Sequence, residues 1–309
     1  EHGNCINPMA TAIRLADRVS TVSATYAEEI CRPSDKAIGF IGGEGLENLL
    51  AEARDDGRLV GILNGCEYDR PKARRPGWMR LLGMLEAQLH DWQQRDPDNE
   101  AHMLARQRIS EIPKRRPLHL LTSIGRLVAQ KATLLLLDAE KGESPLQAIA
   151  ETLGQSGVIV ILGSGEPVFE RRLLEVAHRC PNVLFLNGYS ELLSDPLYAA
   201  GDLFLMPSSF EPCGISQMLA MRSGQPCVVH GVGGLRDTVE HGDTGFVFDG
   251  RTSREQADNF TATTLAALER RENDPAGWKS LCEQARAQRF SWELSAKRTI
   301  RELYGLNDD

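Results

Sequence analysis

Two hydrophobic periods alternate along the chain. Short apolar runs of strand length, residues 118–123, 158–162, 183–186, 203–206 and 226–230, are separated by stretches in which apolar residues recur three or four positions apart. Five such strand and helix units predict an α/β fold with a doubly wound, Rossmann-like parallel sheet. Upstream, Pro8 marks the first turn of a helix over residues 8–15, and the β-branched run 16–23 reads as a strand. Helices are expected at 26–31 and 46–53, after a glycine-rich turn at 42–45, and a buried strand at 59–63. Residues 66–116 are polar, with helices expected around 78–92 and 99–109 and with Pro71, Pro76, Pro97 and Pro113 at the joints. A last amphipathic stretch, 292–304, follows Ser291, a suitable N-cap.

The apolar pattern breaks where strands end, and it breaks with glycines and polar groups. Such turns lie at the carboxyl ends of parallel strands and ahead of helices, the place where an open sheet binds ligands and helix N-termini favour anions. After the first strand of the sheet, Arg126 and Lys131 stand five residues apart and can converge on a diphosphate. On spacing alone, two solvated loop cations are the commoner reading. Gly163 and Gly165 follow the next strand and allow close approach of a nucleotide, although a tight turn would look the same. Tyr189 follows the third. Glu211, in Phe210-Glu211-Pro212-Cys213-Gly214, places a carboxylate at the mouth of the sheet, where it can accept from ligand hydroxyls and favour developing positive charge; taken alone it would be an N-terminal helix charge. Ser216, in the first turn of the next helix, can cap it or add a hydroxyl to amides facing phosphate. Gly233, Gly234 and Leu235 offer a second amide set. Cys213 reads as a pocket wall, since no histidine stands beside it in sequence.

Composition narrows the function classes. With 309 residues, 41% hydrophobic and 25% charged, the chain is long enough for one large core or two smaller ones. A net charge of -8 argues against nonspecific nucleic-acid binding, so the basic spots at 72–75 and 114–116 read as solvated loops. Seven scattered cysteines without a CxxC pair suit reduced, cytoplasmic thiols. No apolar run approaches the length of a membrane span. The opening Glu1-His2-Gly3 resembles no targeting peptide and is expected to mark an artificial edge or a point where a longer protein was cut. Asp96-Pro97-Asp98 has the DxD form of some metal-dependent transferases, but Asp98 or Asn99 is better placed to cap the following helix. The histidines have no ligand spacing, so no metal site is expected.

Phe210-Glu211-Pro212-Cys213-Gly214, followed by Gly233-Gly234-Leu235 and Asp237-Thr238, closely resembles the carboxyl-terminal nucleotide-sugar domain of bacterial glycogen synthases and plant starch synthases. The resemblance runs from about Asn7 to Tyr304. It narrows at position 218, where Met218 stands in place of the second glutamate of many related glycosyltransferases, as it does in this family. It implies a two-Rossmann (GT-B) glycosyltransferase: residues 1–65 as the tail of an amino-terminal, acceptor-side domain, 66–290 as the nucleotide-sugar domain, and 291–309 as a helix crossing back. By this resemblance the full enzyme moves glucose from ADP-glucose to the nonreducing end of an α-1,4-glucan. Arg126 and Lys131 would stabilise the departing diphosphate, Glu211 would orient the glucose, and the Tyr189 ring would lie against the base. Gly163, Gly165, Cys213, Gly214, Ser216, Gly233, Gly234, Leu235 and Asn64, at the domain crossing, would complete the nucleotide-sugar site, with no metal or redox cofactor.

The family's amino-terminal lysine, double glycine, histidine and aspartate would precede Asn7. Residues 7–63 are therefore expected to lack partner strands and to be mobile, or held by another copy or a missing segment. Two other readings follow: a nucleotide- or glucan-binding module without turnover, and a glucan phosphorylase carrying pyridoxal phosphate on Lys131.

Overall fold

A computed structural model gives the arrangement of residues 6–35, 38–68, 74–138 and 142–306. Cys5 and Lys72 lie outside these described residues. Helix α1 (Pro8–Leu15) starts beneath the Asn7 side chain, which accepts from the Ala10 amide, and has proline in its first turn. Strand β1 (Val19–Thr21), helix α2 (Ala24–Glu29), helix α3 (Glu47–Asp55) and strand β2 (Leu59–Gly61) follow. The two strands pair in parallel, and Ile13, Ala27, Ile30, Leu50, Ala53 and Leu59 form a small core around them.

Two long helices, α4 (Trp78–Arg95) and α5 (Glu100–Glu111), lead into the main unit. There β3 (His119–Ile124), α6 (Ala129–Leu136), α7 (Pro145–Leu153), β4 (Gly157–Gly163), α8 (Pro167–Arg179), β5 (Val183–Asn187), α9 (Glu191–Ala200) and β6 (Leu203–Met206) alternate. They are continued by α10 (Ser216–Arg222), β7 (Cys227–His230), α11 (Gly233–Thr238) and β8 (Phe246–Phe248). Three helices close the chain: α12 (Ser253–Asn273), α13 (Pro275–Ala287) and α14 (Trp292–Arg298), the last running into a single wide turn at Thr299–Leu303.

The main sheet has six strands in the order β5-β4-β3-β6-β7-β8, all parallel. Successive side chains go to opposite faces, so neighbours in sequence enter different cores. Leu121, Ile159, Ile161, Phe185, Leu203 and Leu205 join the core beneath α6, α7, α8 and α12. Leu120, Val158, Val160, Leu162, Leu184 and Leu186 pack instead against α4, α5 and α9. Both faces are covered, which is why the strands read as continuous apolar runs rather than alternating ones.

Each of the five expected strands of this sheet is present. The sixth, β8, escapes sequence reading because it is an edge strand of only three residues. Helix α6 starts at Ala129, so Lys131 sits on a helix and not in a loop. The amino-terminal segment is also not left without partners. Its β1 and β2 pair with each other, and α2 packs on α11. The Ser23 hydroxyl donates to the Pro212 carbonyl, and Thr25 donates to Asp237 from its amide, at 2.9 Å, and from its hydroxyl. At the other end, Ser291 caps α14, the Ser295 hydroxyl donates to the Leu63 carbonyl at 2.6 Å and Arg298 donates to the Gly61 carbonyl at 3.2 Å. The last helix therefore lies against the exit from β2.

Candidate functional site

From β3 the sheet grows one way through β4 and β5 and the other way through β6, β7 and β8. The segments after β3 and β6 part around a narrow crevice of about 30 Å³ and are bridged by Ser209, whose amide donates to the Gln130 carbonyl at 2.8 Å; this is the switch point where parallel sheets take ligands. Lys131 stands on the β3 side of it and Glu211 on the β6 side, with Nζ 3.0 Å from Oε2. The buried Ser208 hydroxyl donates to the same carboxylate oxygen at 3.2 Å. Ser208 is held in turn: its carbonyl accepts from His230 Nδ1 at 3.1 Å, and His230 stacks on Phe248. Burial pushes the His230 pKa down, and because the Ser208 carbonyl can only accept, Nδ1 is the donor in this contact.

Arg126 is exposed and makes no hydrogen bond or ion pair among the described residues. Its loop is fastened to the one after β4. Gly125 N donates to the Leu162 carbonyl, Leu127 N to Ser164, and Glu166 N back to Leu127, at 3.1, 3.0 and 2.7 Å. A Cβ on Gly163 would collide with the Gly125 carbonyl, and one on Gly165 with that of Leu127. The glycines at these positions thus let two loops approach each other, a packing reason that the sequence did not distinguish from ligand approach. The neighbouring loop after β5 joins the row, since Gly188 N donates to the Gly163 carbonyl. Next to it Tyr189 stands on the rim, 72% exposed, with its hydroxyl 3.3 Å from Glu191.

On the β6 side the chain turns at Gly214, whose φ of 74° is a backbone conformation that favours glycine. Gln217, fully buried, fastens this turn: its side-chain amide donates to the carbonyls of Cys213 and Gly214 and to the Thr238 hydroxyl. The Cys213 thiol is pushed up by burial and lies by the Asn64 amide, with Cys66 and Met218 as apolar neighbours. His230 faces Ser208 and not this sulfur, so Cys213 is not an activated nucleophile, and it stands behind the turn and not in the cleft lining where a pocket wall was expected.

The amides of Gly233, Gly234 and Leu235 do not stand open to an anion. Gly233 N donates to the buried Glu29 carboxylate at 2.9 Å, Gly234 N to the carbonyls of Glu211 and Pro212, and Leu235 N to Val232. The reason is the docking of α2, which brings Glu29 onto the start of α11. Sequence offered no sign of it, because the two residues are 204 positions apart.

A cleft of about 540 Å³ opens along these strand ends. Of the expected residues, Arg126, Lys131, Gly163, Tyr189 and Ser216 line it, and Glu211 adjoins it through Lys131. Gly165, Cys213, Gly214, Gly233, Gly234, Leu235 and Asn64 are not part of that lining; Cys213, Gly214, Gly233 and Gly234 are tied into the turns described above. Sequence reasoning missed Asp195, Tyr198 and Arg222, which also line the cleft. Arg222 pairs with Asp195 at 3.0 Å and donates to the Glu67 carbonyl. An arginine at the end of a seven-residue helix carries no local signal of this. Among the described residues no group of three or more His, Cys, Asp or Glu is arranged to hold a metal ion. Asp96-Pro97-Asp98 leads into α5, where Asn99 is the cap and accepts from the His102 amide at 3.2 Å. No helix among the described residues is long and apolar enough to cross a membrane.

Comparison with known proteins bears on the family and the fold. Residues 119–266 match the family model for glycosyl transferases group 1, and residues 1–52 match that for the starch synthase catalytic domain. The glycogen synthase of Streptococcus sanguinis is 35% identical over 301 residues, which cover 95% of this chain and 57% of that protein. The glycogen synthase of Thioalkalivibrio sulfidiphilus is 35% identical over 318 residues, 94% of this chain and 56% of its own length. Among solved structures, the catalytic domain of starch synthase IV from Arabidopsis thaliana, bound to ADP and acarbose, superposes with a TM-score of 0.71 at 30% identity. That match covers 97% of this chain and 58% of the plant domain. The chain thus spans a little over half the length of the curated relatives it matches.

Proposed function

The chain belongs to the family of bacterial glycogen synthases and starch synthases, and from that premise we propose that it carries the nucleotide-sugar site of a retaining glucosyltransferase. The donor is ADP-glucose and the acceptor is the nonreducing end of an α-1,4-glucan. The observation that carries this reading is the crevice between β3 and β6: a lysine and a glutamate paired across it at 3.0 Å, with Arg126 free of hydrogen bonds and ion pairs among the described residues. Glu211 is braced by Ser208 and Lys131, so its carboxylate is fixed before a sugar arrives. Arg126 contributes a two-pronged donor and Lys131 a point charge to the diphosphate that leaves with the nucleoside. Ser216 adds a hydroxyl from the first turn of α10, and the exposed Tyr189 ring offers a face to the base. The scattered free thiols suit a reducing compartment, and we place the reaction in the cytoplasm.

Retaining transfer also needs the acceptor hydroxyl brought against the glucose in a closed cleft, and such orientation accounts for several kcal/mol of rate enhancement. This chain by itself binds ADP or ADP-glucose and elongates glycogen poorly. Calorimetry with ADP, together with incorporation of labelled glucose into glycogen, tests both halves. Absence of ADP binding would remove the proposal. Enzyme-like elongation abolished by Glu211→Ala would keep the glucosyltransferase and refute the dependence on further acceptor-side residues. The phosphorylase reading has no comparable observation behind it.

A further inference from the structure

The two basic spots that look like solvated loops in the sequence converge in the fold. Arg75 and Arg116, joined by Arg271 of α12, close on one buried carboxylate, Asp202. Arg75 lies 2.9 Å and Arg271 3.2 Å from Oδ1, and Arg116 2.8 Å from Oδ2. The Leu120 amide donates to the same group at 2.9 Å. A guanidinium stays charged in a protein, so three of them on one carboxylate leave positive charge over. Beside them lies a cavity of about 500 Å³, walled by Arg75 and Arg271 and further lined by Lys279 and Arg286. Arg286 donates to a neutral partner, the Ser223 carbonyl, at 3.1 Å. Lys279 is largely exposed, 3.8 Å from Glu283. In a chain of net charge -8 this is a local concentration of the opposite sign.

The cavity is at the amino ends of the strands, since Asp202 immediately precedes β6 and Arg116 precedes β3. That is the opposite end from the cleft. The two nevertheless share a wall, because Arg222 and Asp195 line both. Helix α10 has its first residue, Ser216, in the cleft and its last, Arg222, between the two spaces. Arg222 divides its donors between Asp195 and the carbonyl of Glu67, itself a cleft residue.

We propose that this second cavity binds a phosphate-bearing small molecule, and that its occupancy alters nucleotide affinity in the cleft through Arg222. The second half rests on the cleft being a nucleotide site. Guanidinium forks match phosphate oxygens, and the leftover charge needs an anion more than a neutral ligand. An anion in the cavity competes with Asp195 for Arg222 and draws it from the Glu67 segment that walls the cleft. Such coupling is reciprocal: whatever the anion does to ADP affinity, ADP does to anion affinity.

Calorimetry and heat unfolding at constant ionic strength, with inorganic phosphate and glycerol phosphate as separate probes, test the site. Both probes are expected to bind and to raise the unfolding midpoint. Equal affinities would make the anion the whole ligand, and tighter binding of the ester would extend the site to an organic body. Lys279→Ala and Arg286→Gln each weaken probe binding by about tenfold, and neither alters ADP affinity measured without phosphate. Phosphate shifts ADP affinity in the wild type by about fivefold, and Asp195→Asn removes that shift. Failure of both probes to bind at millimolar concentration, or binding unaffected by either cavity variant, overturns the site. Lys279 is exposed, so its variant reports even if Arg286→Gln disturbs the fold. If ADP does not bind the wild type, the cleft reading and the coupling fall together, while phosphate binding lost in Lys279→Ala still establishes the cavity.

Discussion

Both ends of the main sheet gather arginines and carboxylates, and what surrounds them differs. At the amino end, three guanidiniums crowd one carboxylate that is 6% exposed, and a strand amide completes it. At the carboxyl end, Arg126 makes no hydrogen bond or ion pair among the described residues, and Lys131 and Glu211 meet between the segments that follow β3 and β6. Charges of the first kind hold the chain together, because removing one member strands the others in a buried place. Of the second kind, the exposed Arg126 holds nothing in place among the described residues, and the buried Glu211 has a single cation, Lys131, beside the Ser208 hydroxyl. The two carboxylates are buried alike, Asp202 6% and Glu211 8% exposed, so the number of fixed cationic partners, and not burial, separates the two ends.

This contrast can be broken by substitution at either end. Asp202→Ala should lower folding stability by about 3–5 kcal/mol, read from denaturant unfolding, and leave ADP binding intact where the protein is folded. A loss under about 1 kcal/mol would show that the arginine cluster is only a surface pairing. At the carboxyl end, Lys131→Ala or Arg126→Ala should cost about 3 kcal/mol of barrier in an enzyme competent for transfer, roughly a hundredfold in rate. Both should weaken ADP binding, with the unfolding midpoint near wild type for the exposed Arg126→Ala and lowered for Lys131→Ala, which leaves the buried Glu211 without its cation. Unchanged ADP affinity and turnover in both variants would remove the diphosphate clamp.

Two smaller tests sharpen the comparison. Asn99→Ala should cost about 1 kcal/mol of stability as the loss of a helix cap, and neither it nor EDTA should affect ADP binding. Loss of binding on chelation and with Asp96→Ala would restore the DxD sequence to a metal role. Last is the pH dependence of Glu29, whose pKa is raised above 4.5, chiefly by burial and against the opposing Gly233 hydrogen bond. The folded state then holds this proton more tightly than the unfolded one, so the group's contribution to stability is present below the unfolded value and is lost as pH rises through the raised value. Glu29→Gln keeps an acceptor for Gly233 and should flatten that slope, seen as a smaller fall in unfolding midpoint from acid to neutral pH. An unchanged slope would place the linkage elsewhere.

What could be read in the sequence follows from range. The five buried strands announce themselves because a sheet covered on both faces makes every residue of a strand apolar, as in Gly157–Gly163. The turns that follow them were visible as glycines and charges for the same reason, being the only breaks in an apolar rhythm. Strand β8 was not, since Phe246-Val247-Phe248 is too short to show a period. The arginine cluster was not, because Arg75, Arg116, Asp202 and Arg271 come from four separate parts of the chain. Nor was the engagement of the Gly233 amide by Glu29, which no local pattern encodes. Resemblance supplied the roles of Tyr189 and Asn64, which spacing alone would not have suggested.

The contact between the ends of the chain has a consequence in time. Ser295 reaches Leu63 across 232 residues, and Arg298 reaches Gly61 across 237. At a synthesis rate of about 5–20 residues per second, the exit of β2 leaves the ribosome roughly ten to fifty seconds before the helix that covers it. Throughout that interval the small amino-terminal core must wait with its carbonyls wet, while the large sheet can close on itself strand by strand. A chain stopped just short of Ser291 would finish its main sheet and keep α2 docked on α11, and would still leave the Gly61 and Leu63 carbonyls wet.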